Sequence, residues 1–327
     1  MSAHSNMYPH TQRGAALIVA LLIVATVVIL ATTLTSDFLL MFRRVENQLH
    51  SEQAYGYLLG AEGVARAALL QDARQTAKTD DLFEEWAKPQ KFPTDYGWIA
   101  GQLEDLQGRF NLNLLATKPD VVGQLSQQQR IFMRLLMALP LKEPLAADEA
   151  EALVDAVSDW IDEDNDVTGL SGAESQYYAE ADPPGRPANR KIASPSELMW
   201  VKGMTPEIYR VLEPLVTVWP QDKVAININT APPLVLASIN SEKVLQPLDP
   251  NILETILAER KAKHHIDRSA YQVLPDKPVD DTLIAEQSSY FQLTAQTEFE
   301  GRRYTLRSVI HRSAKEVRVV SRTFGEW

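Results

Sequence analysis

The chain opens on a long apolar run. From Ala15 to Leu34 no residue is charged, and neither glycine nor proline occurs. About 20 such residues span a bilayer core as a helix. A core helix of a soluble protein keeps a polar face. Here only threonines interrupt the run, and their hydroxyls can bond carbonyls one turn back. The helical period continues beyond Leu34. Ala54, Leu58, Ala61, Ala65 and Ala68 recur at spacings of 4, 3, 4 and 3, on one helical face. No proline falls between Thr11 and Pro89. One helix is therefore predicted from Ala15 to about Lys78, roughly 95 Å long. Gly56, Gly60 and Gly63 each weaken it by up to about 1 kcal/mol, which leaves room for a kink there.

Residues 92–96 read as a turn-rich linker. Residues 98–105 alternate weakly, Gln107-Gly108 offers a turn, and Phe110, Leu112 and Leu114 alternate cleanly with polar neighbours. The stretch 98–114 reads as a β-hairpin. From 117 to 285 the period turns helical, with helices predicted at 127–138, 148–161, 196–201, 206–212, 232–239 and 251–262. The second carries Ala150, Leu153, Val157 and Trp160 on one face and is capped near Ala147 or Asp148. Strand alternation returns at 290–297, 304–310 and 317–320, with turns at Glu300-Gly301 and Ser313-Ala314-Lys315. The fold class is α+β. A long N-terminal helix packs through residues 54–70 on an antiparallel sheet, and a large all-α block (117–285) is inserted between the first strands and the last three (286–327).

Composition narrows the function. A chain of 327 residues with net charge −11 does not have nucleic-acid backbone binding as its main task. It has no cysteine, so disulfides and thiolate metal sites are excluded. No nucleophile elbow or phosphate-binding loop occurs. His264 and His265 are adjacent, and neighbours on a helix point about 100° apart, so they do not share a site. The expectation is a protein that is not an enzyme.

The most informative polar stretch runs from Asp155 to Glu174. Between Glu143 and Gly185 there are thirteen Asp or Glu and no Lys, Arg or His. Carboxylates this dense repel unless a cation neutralises them. Asp162, Asp164 and Asp166 follow at i, i+2 and i+4 just past a helix end, where alternate residues of a tight loop can turn around one hard cation. An EF-hand loop needs glycine at its sixth position and glutamate at its twelfth; this chain has Val167 and Ala173, with Glu174 one later. The spacing fits a related acidic loop with a different closure, and equally a solvated acidic surface loop.

Two segments point elsewhere. Leu198-Met199-Trp200-Val201-Lys202-Gly203-Met204-Thr205-Pro206 and Ile226-Asn227-Ile228-Asn229-Thr230-Ala231 resemble parts of helix-hairpin-helix modules, which bind DNA backbone. The first lacks the second glycine, and cations near both are few. A membrane-anchored, competence-like DNA-binding protein is thus the alternative, beside the same scaffold used for protein packing.

Several separated motifs resemble one family. The run at residues 12–34 is similar to a prepilin-type signal, in contrast to a plain membrane anchor with an incidental glycine. Leu103-Glu104-Asp105-Leu106-Gln107-Gly108-Arg109-Phe110-Asn111-Leu112-Asn113 resembles a family hairpin. Trp160-Ile161-Asp162 with Asp164, Asp166 and Gly172-Ala173-Glu174 resembles a family calcium loop. These are features of the K-type minor pseudopilins of the type II secretion system. The resemblance implies a leader over residues 1–14, cleavage between Gly14 and Ala15 by prepilin peptidase, and N-methylation of Ala15. It implies a transmembrane segment at 15–35 in the inner membrane, a pilin-like unit over 36–116, and a head in the periplasm. It implies structural calcium at Asp162, Asp164, Asp166 and Glu174, with Asp155, Asp159 and Asn189 as further candidates. It implies a tip complex with the I-type and J-type minor pseudopilins that supports protein export, and no nucleic-acid partner. Prepilins usually carry glutamate five residues after the cut, where this chain has Val19. A carboxylate in lipid needs a partner, and Val19 needs none, as suits a subunit with no other above it.

Overall fold

The computed structural model describes residues 12–75, 79–95, 97–117, 124–221, 225–272, 279–299 and 301–326. Most of the expected leader (1–11), the expected last turn of the long helix (76–78), Tyr96 and Glu300 lie outside the described residues.

The first helix, α1 (Gln12–Arg74), runs for 63 residues without a break. Residues 14 to 46 are all exposed. Among the described residues this is the one helix long and apolar enough to cross a membrane. The hydroxyls of Thr26, Thr32, Thr33 and Thr35 donate to the carbonyls of Leu22, Ile29, Leu30 and Ala31, so none of the four requires water. Farther on, α1 buries Ala54, Leu58, Glu62, Ala65 and Leu69. The expected stripe held at Ala54, Leu58 and Ala65, while Ala61 and Ala68 lie half-buried at its margin. The reason is the period: alternating 4 and 3 averages 3.5 residues and drifts off a straight helix of 3.6. The glycines do not break the helix. Gly56, Gly60 and Gly63 lie on the exposed side, and the helix continues through them.

The remaining strands and helices follow in chain order. First come β1 (Gln90–Thr94), β2 (Gly97–Asp105), β3 (Phe110–Asn111), α2 (Gln127–Met137), α3 (Ala147–Ile161) and α4 (Ser175–Glu180). Then come α5 (Pro206–Leu212), β4 (Val216–Thr217), β5 (Ile226–Asn227), α6 (Pro233–Ser238), α7 (Pro250–Lys263) and α8 (Ser269–Gln272). Last are β6 (Ile284–Ala285), β7 (Tyr290–Phe299), β8 (Arg302–Arg312) and β9 (Val317–Glu326). Five strands form one antiparallel sheet in the order β1-β2-β7-β8-β9. The inner face of this sheet (Leu103, Phe291, Leu293, Ala295, Tyr304, Leu306 and Ile310) packs with the α1 stripe into one core. The helical block builds a second core around Ile131, Phe132, Leu135, Val157, Trp160, Leu212, Val235 and Leu236.

Two expectations are corrected. The 92–96 linker is in part the edge strand β1, which pairs with β2 from Gln90↔Gly101 to Thr94↔Gly97. The 98–114 hairpin does not form. β2 pairs with β1 and β7, whereas residues 110–111 pair in parallel with 216–217 and lead into a 3₁₀ turn at Leu112–Ala116. The polar members of that alternation do not face water. Asn113 is buried and donates to the carbonyls of Ile192 and Val218 at 3.1 and 3.0 Å. Asn111 is buried too and accepts from the Asn113 amide at 3.0 Å. Phe110 stacks on Phe132 at 5.2 Å, so the stretch belongs to the helical core.

The two cores meet at a polar joint. Asp105, the last residue of β2, is buried. One of its oxygens accepts from Asn227 Nδ2 at 3.0 Å and from the hydroxyls of Thr230 and Ser288 at 2.5 Å each; the other accepts from the Gln107 amide at 2.8 Å. Burial holds its carboxyl above the usual range against the pull of these donors. Beside it, Arg312 at the end of β8 pairs with Asp80 at 2.5 Å and with Asp72, and donates to the Ser288 carbonyl at 2.7 Å. Its guanidinium lies 4.6 Å from the centre of the Phe291 ring.

Glu62 is the acid within the otherwise apolar stripe of α1. It pairs with Arg322 at 2.7 Å and accepts from the Ser308 hydroxyl at 2.6 Å. Burial pushes its carboxyl up, but Arg322, Ser308 and Arg66 together bring it below the usual range. A lowered carboxylate stabilises the fold above its unfolded value and loses that contribution as pH falls through the folded one. Glu62→Ala is expected to cost about 2 kcal/mol at neutral pH, at the low end for a buried pair because Arg322 is partly exposed. Thermal unfolding of the full chain in detergent at pH 7 and near pH 3.5 checks it: the deficit shrinks at the lower pH.

Candidate metal centre

The acidic loop starts where α3 ends. Ile161 is the last helical residue, and the backbone of Asp162 turns extended. The loop returns to a helix at Glu174, which precedes the first residue of α4. Carboxylate oxygens of Asp162, Asp164 and Glu174 all lie within 4.8 Å of one another. Two unit charges at that distance repel by about 3 kcal/mol at an effective dielectric of about 20. Glu174 is buried, and neither of its carboxylate oxygens has a hydrogen-bond partner among the described residues. Burial and the nearby charges of Asp159 and Asp162 push its carboxyl up to about 7. Asn189, at φ +43°, donates from Nδ2 to the Asp164 carbonyl at 2.8 Å, while its buried Oδ1 has no partner among the described residues. The donors are oxygens only, several are anionic, and both Glu174 oxygens and Asn189 Oδ1 have no partner among the described residues. That is the set a hard divalent cation takes, and it fits calcium.

The other expected residues fall in different places. Asp166 is exposed and outside the group of three, because its amide bonds Asp164 Oδ1 at 2.9 Å and that turn leaves its side chain in solvent. Asp155 and Asp159, on the last turns of α3, are buried beneath the loop. Asp159 accepts from the Thr168 amide at 2.9 Å and Asp155 from the Ser171 amide at 3.4 Å. Burial raises both, Asp155 to about 6. Gly14 and Ala15 lie exposed in the first turns of α1. The predicted helices at 148–161 and 206–212 match α3 and α5 within a residue, with α3 starting at Ala147.

Sequence reasoning missed Lys202. Its ammonium donates to the carbonyls of Ser171 and Gly172 at 3.0 and 3.2 Å and lies 5.0 Å from the Tyr177 ring centre. Its amide donates to the Tyr178 hydroxyl at 3.2 Å. The residue that suggested a DNA hairpin therefore ties down the acidic loop. The second such segment is spent internally as well: Asn227 bonds Asp105 and Ser288, and Arg260 donates to the Ala231 carbonyl at 2.6 Å.

The loop also needs two glycines. At Gly169, φ is +60°, and a Cβ there meets Asp155 Oδ2 at 2.1 Å. At Gly172 a Cβ meets Asp159 Oδ2 at 2.2 Å and the Thr168 carbonyl oxygen at 2.6 Å. The backbone closes this tightly over buried carboxylates only without side chains.

A membrane-length helix whose second half packs along an antiparallel sheet defines a pilin-like subunit, here with a helical block inserted between β2 and β7. The family model for type II secretion system (T2SS), protein K, matches residues 108–221. Type II secretion system protein K of Pseudomonas aeruginosa is 34% identical over 96% of this chain and 93% of its own. The Aeromonas hydrophila protein of that name is 32% identical over 92% of this chain and 93% of its own. A solved chain from the GspK-GspI-GspJ complex of enterotoxigenic Escherichia coli is 27% identical, with TM-score 0.68, over 87% of this chain and all of that one. The chain belongs to the type II secretion system protein K family and is a minor pseudopilin. These likenesses give the DNA-binding alternative no support.

Gly172→Ala is expected to lower the melting temperature by about 4–8 °C, since roughly 2 kcal/mol of crowding against buried atoms shifts a domain of this size by that much. Gly185→Ala, with no atom within 4 Å of the added carbon, is expected to change it by less than about 1 °C. Differential scanning calorimetry of the two variants checks the contrast.

Proposed function

We propose that this subunit caps the tip of the pseudopilus, anchored in the inner membrane by residues 15–35 with its head in the periplasm, and serves protein export without catalysis. The observation that carries the tip position is Val19. A subunit inserted beneath another offers an acid in lipid to a neighbour's amine, and Val19 offers none. The similar solved chain comes from a GspK-GspI-GspJ complex, which supports I-type and J-type minor pseudopilins as the neighbours of this chain. Cleavage between Gly14 and Ala15 by prepilin peptidase, followed by methylation of Ala15, delivers the subunit; both residues are exposed at the start of α1. The N-terminal mass of the protein recovered from cells tests this. The expected species begins at methylated Ala15, and a chain beginning at Met1 in cells with active peptidase overturns it.

We further propose that the acidic loop holds structural calcium through Asp162, Asp164 and Glu174, with Asn189 Oδ1 as a fourth oxygen. Asp166 contributes only if its side chain turns back toward the group. The ion neutralises carboxylates that otherwise repel and joins the end of α3 to the start of α4. Calcium at a hundredfold excess over Kd is expected to raise the melting temperature of the full chain by about 5–10 °C over chelator. Glu174→Gln is expected to melt higher than the unaltered chain in chelator, because repulsion is relieved, and to lose most of the calcium shift. Equal midpoints with and without calcium overturn the assignment.

A further inference from the structure

The strongest unexplained surface lies beside the acidic loop. Leu170 is fully exposed, at 103%, and Trp200 is 67% exposed. Tyr177 and Met199 are also large and exposed. A single exposed leucine is ordinary, but a cluster that includes tryptophan marks an interaction surface. Lys202 ties the loop that carries Leu170 to Tyr177. Its ammonium bonds the carbonyl of Ser171, next to Leu170, and lies against the Tyr177 ring; Trp200 and Met199 stand two and three residues before it. The loop is also held rigidly, by Lys202 and by the buried carboxylates beneath Gly169 and Gly172. Exposed tryptophan and tyrosine are typical anchors of protein contacts.

The charge around the cluster says what fits. Glu163, Asp166, Glu180 and Asp182 are exposed in the same stretch, which carries no cation from Glu143 to Gly185. None of these four belongs to the group of three carboxylates. An anionic lipid surface is repelled by such a rim. A protein segment that alternates lysine or arginine with large apolar residues meets both features at once.

We propose that Leu170, Tyr177, Met199 and Trp200 form a docking surface for a basic, apolar segment of a protein outside the anchored complex. Full-length protein in detergent micelles is titrated into a fluorescein-labelled peptide of alternating lysine and leucine, and into its glutamate–leucine counterpart. The expected result is binding of the lysine peptide alone, weakened at least tenfold in Leu170→Ser/Trp200→Ser, with the calcium melting shift unchanged in that variant. Equal binding by the variant, or equal binding of the glutamate peptide, overturns the proposal. So does loss of assembly with the I- and J-type subunits, or of self-association, in the variant, since the surface then belongs to one of those contacts. The melting shift is read separately. Its absence removes the calcium assignment, and peptide binding that depends on the two residues still supports the docking surface.

Discussion

The buried carboxylate of Asp105 is the constraint on which the arrangement of the two cores depends. Each core is apolar and could satisfy itself alone. Apolar contact is not directional, so it does not fix how one core sits on the other. Asp105 does. It takes donors from Gln107, from Asn227 and Thr230 of the helical block, and from Ser288 just before β7. An acid buried without those donors would cost several kcal/mol, so the geometry that supplies all four is the one that persists. Arg312, with Asp80, Asp72 and the Ser288 carbonyl, extends the joint to the last turn of α1 and the segment after it. The motif that resembled a hairpin is therefore a fixed joint between two units: its acid ends a strand of the sheet, and its Phe110 and Asn113 belong to the helical core.

Much of this was legible in the sequence, and the failures have physical causes. The apolar run follows from its unbroken hydrophobicity, and the last three strands and most of the helices follow from periodicity, because each of these buries one face and exposes the other. Residues 110–114 broke the rule because their asparagines bond buried carbonyls, so polar letters did not mark a wet face. β1 was hidden because it is an exposed edge strand with little apolar alternation. Glu62 was invisible because its partner, Arg322, lies 260 residues away. In the acidic loop the triad of Asp162, Asp164 and Glu174 was readable from spacing and resemblance. Asp166 was not separable from it, since a local turn decides whether an alternate residue faces in or out. Lys202 gave a signal, a lysine-glycine pair, but one that also fits a nucleic-acid hairpin.

The acidic loop and the joint handle charge in opposite ways. At the joint, Arg312 and four donors meet the acids from within the chain. In the loop, the chain positions carboxylates and one amide oxygen and leaves Glu174 and Asn189 with oxygens unmet. The first arrangement is complete as folded. The second leaves oxygens open to the ion proposed above.

The continuity of α1 has a mechanical consequence. Its anchor and the stripe that grips the sheet belong to one rod of hydrogen-bonded turns, and the glycines on its free side do not interrupt it. Axial thrust applied at the membrane end is not absorbed by a hinge. A displacement of one helical turn, about 5.4 Å, arrives undiminished at the sheet and passes through the joint at Asp105 to the helical block. The head thus moves with its anchor as a piston head moves with its shaft.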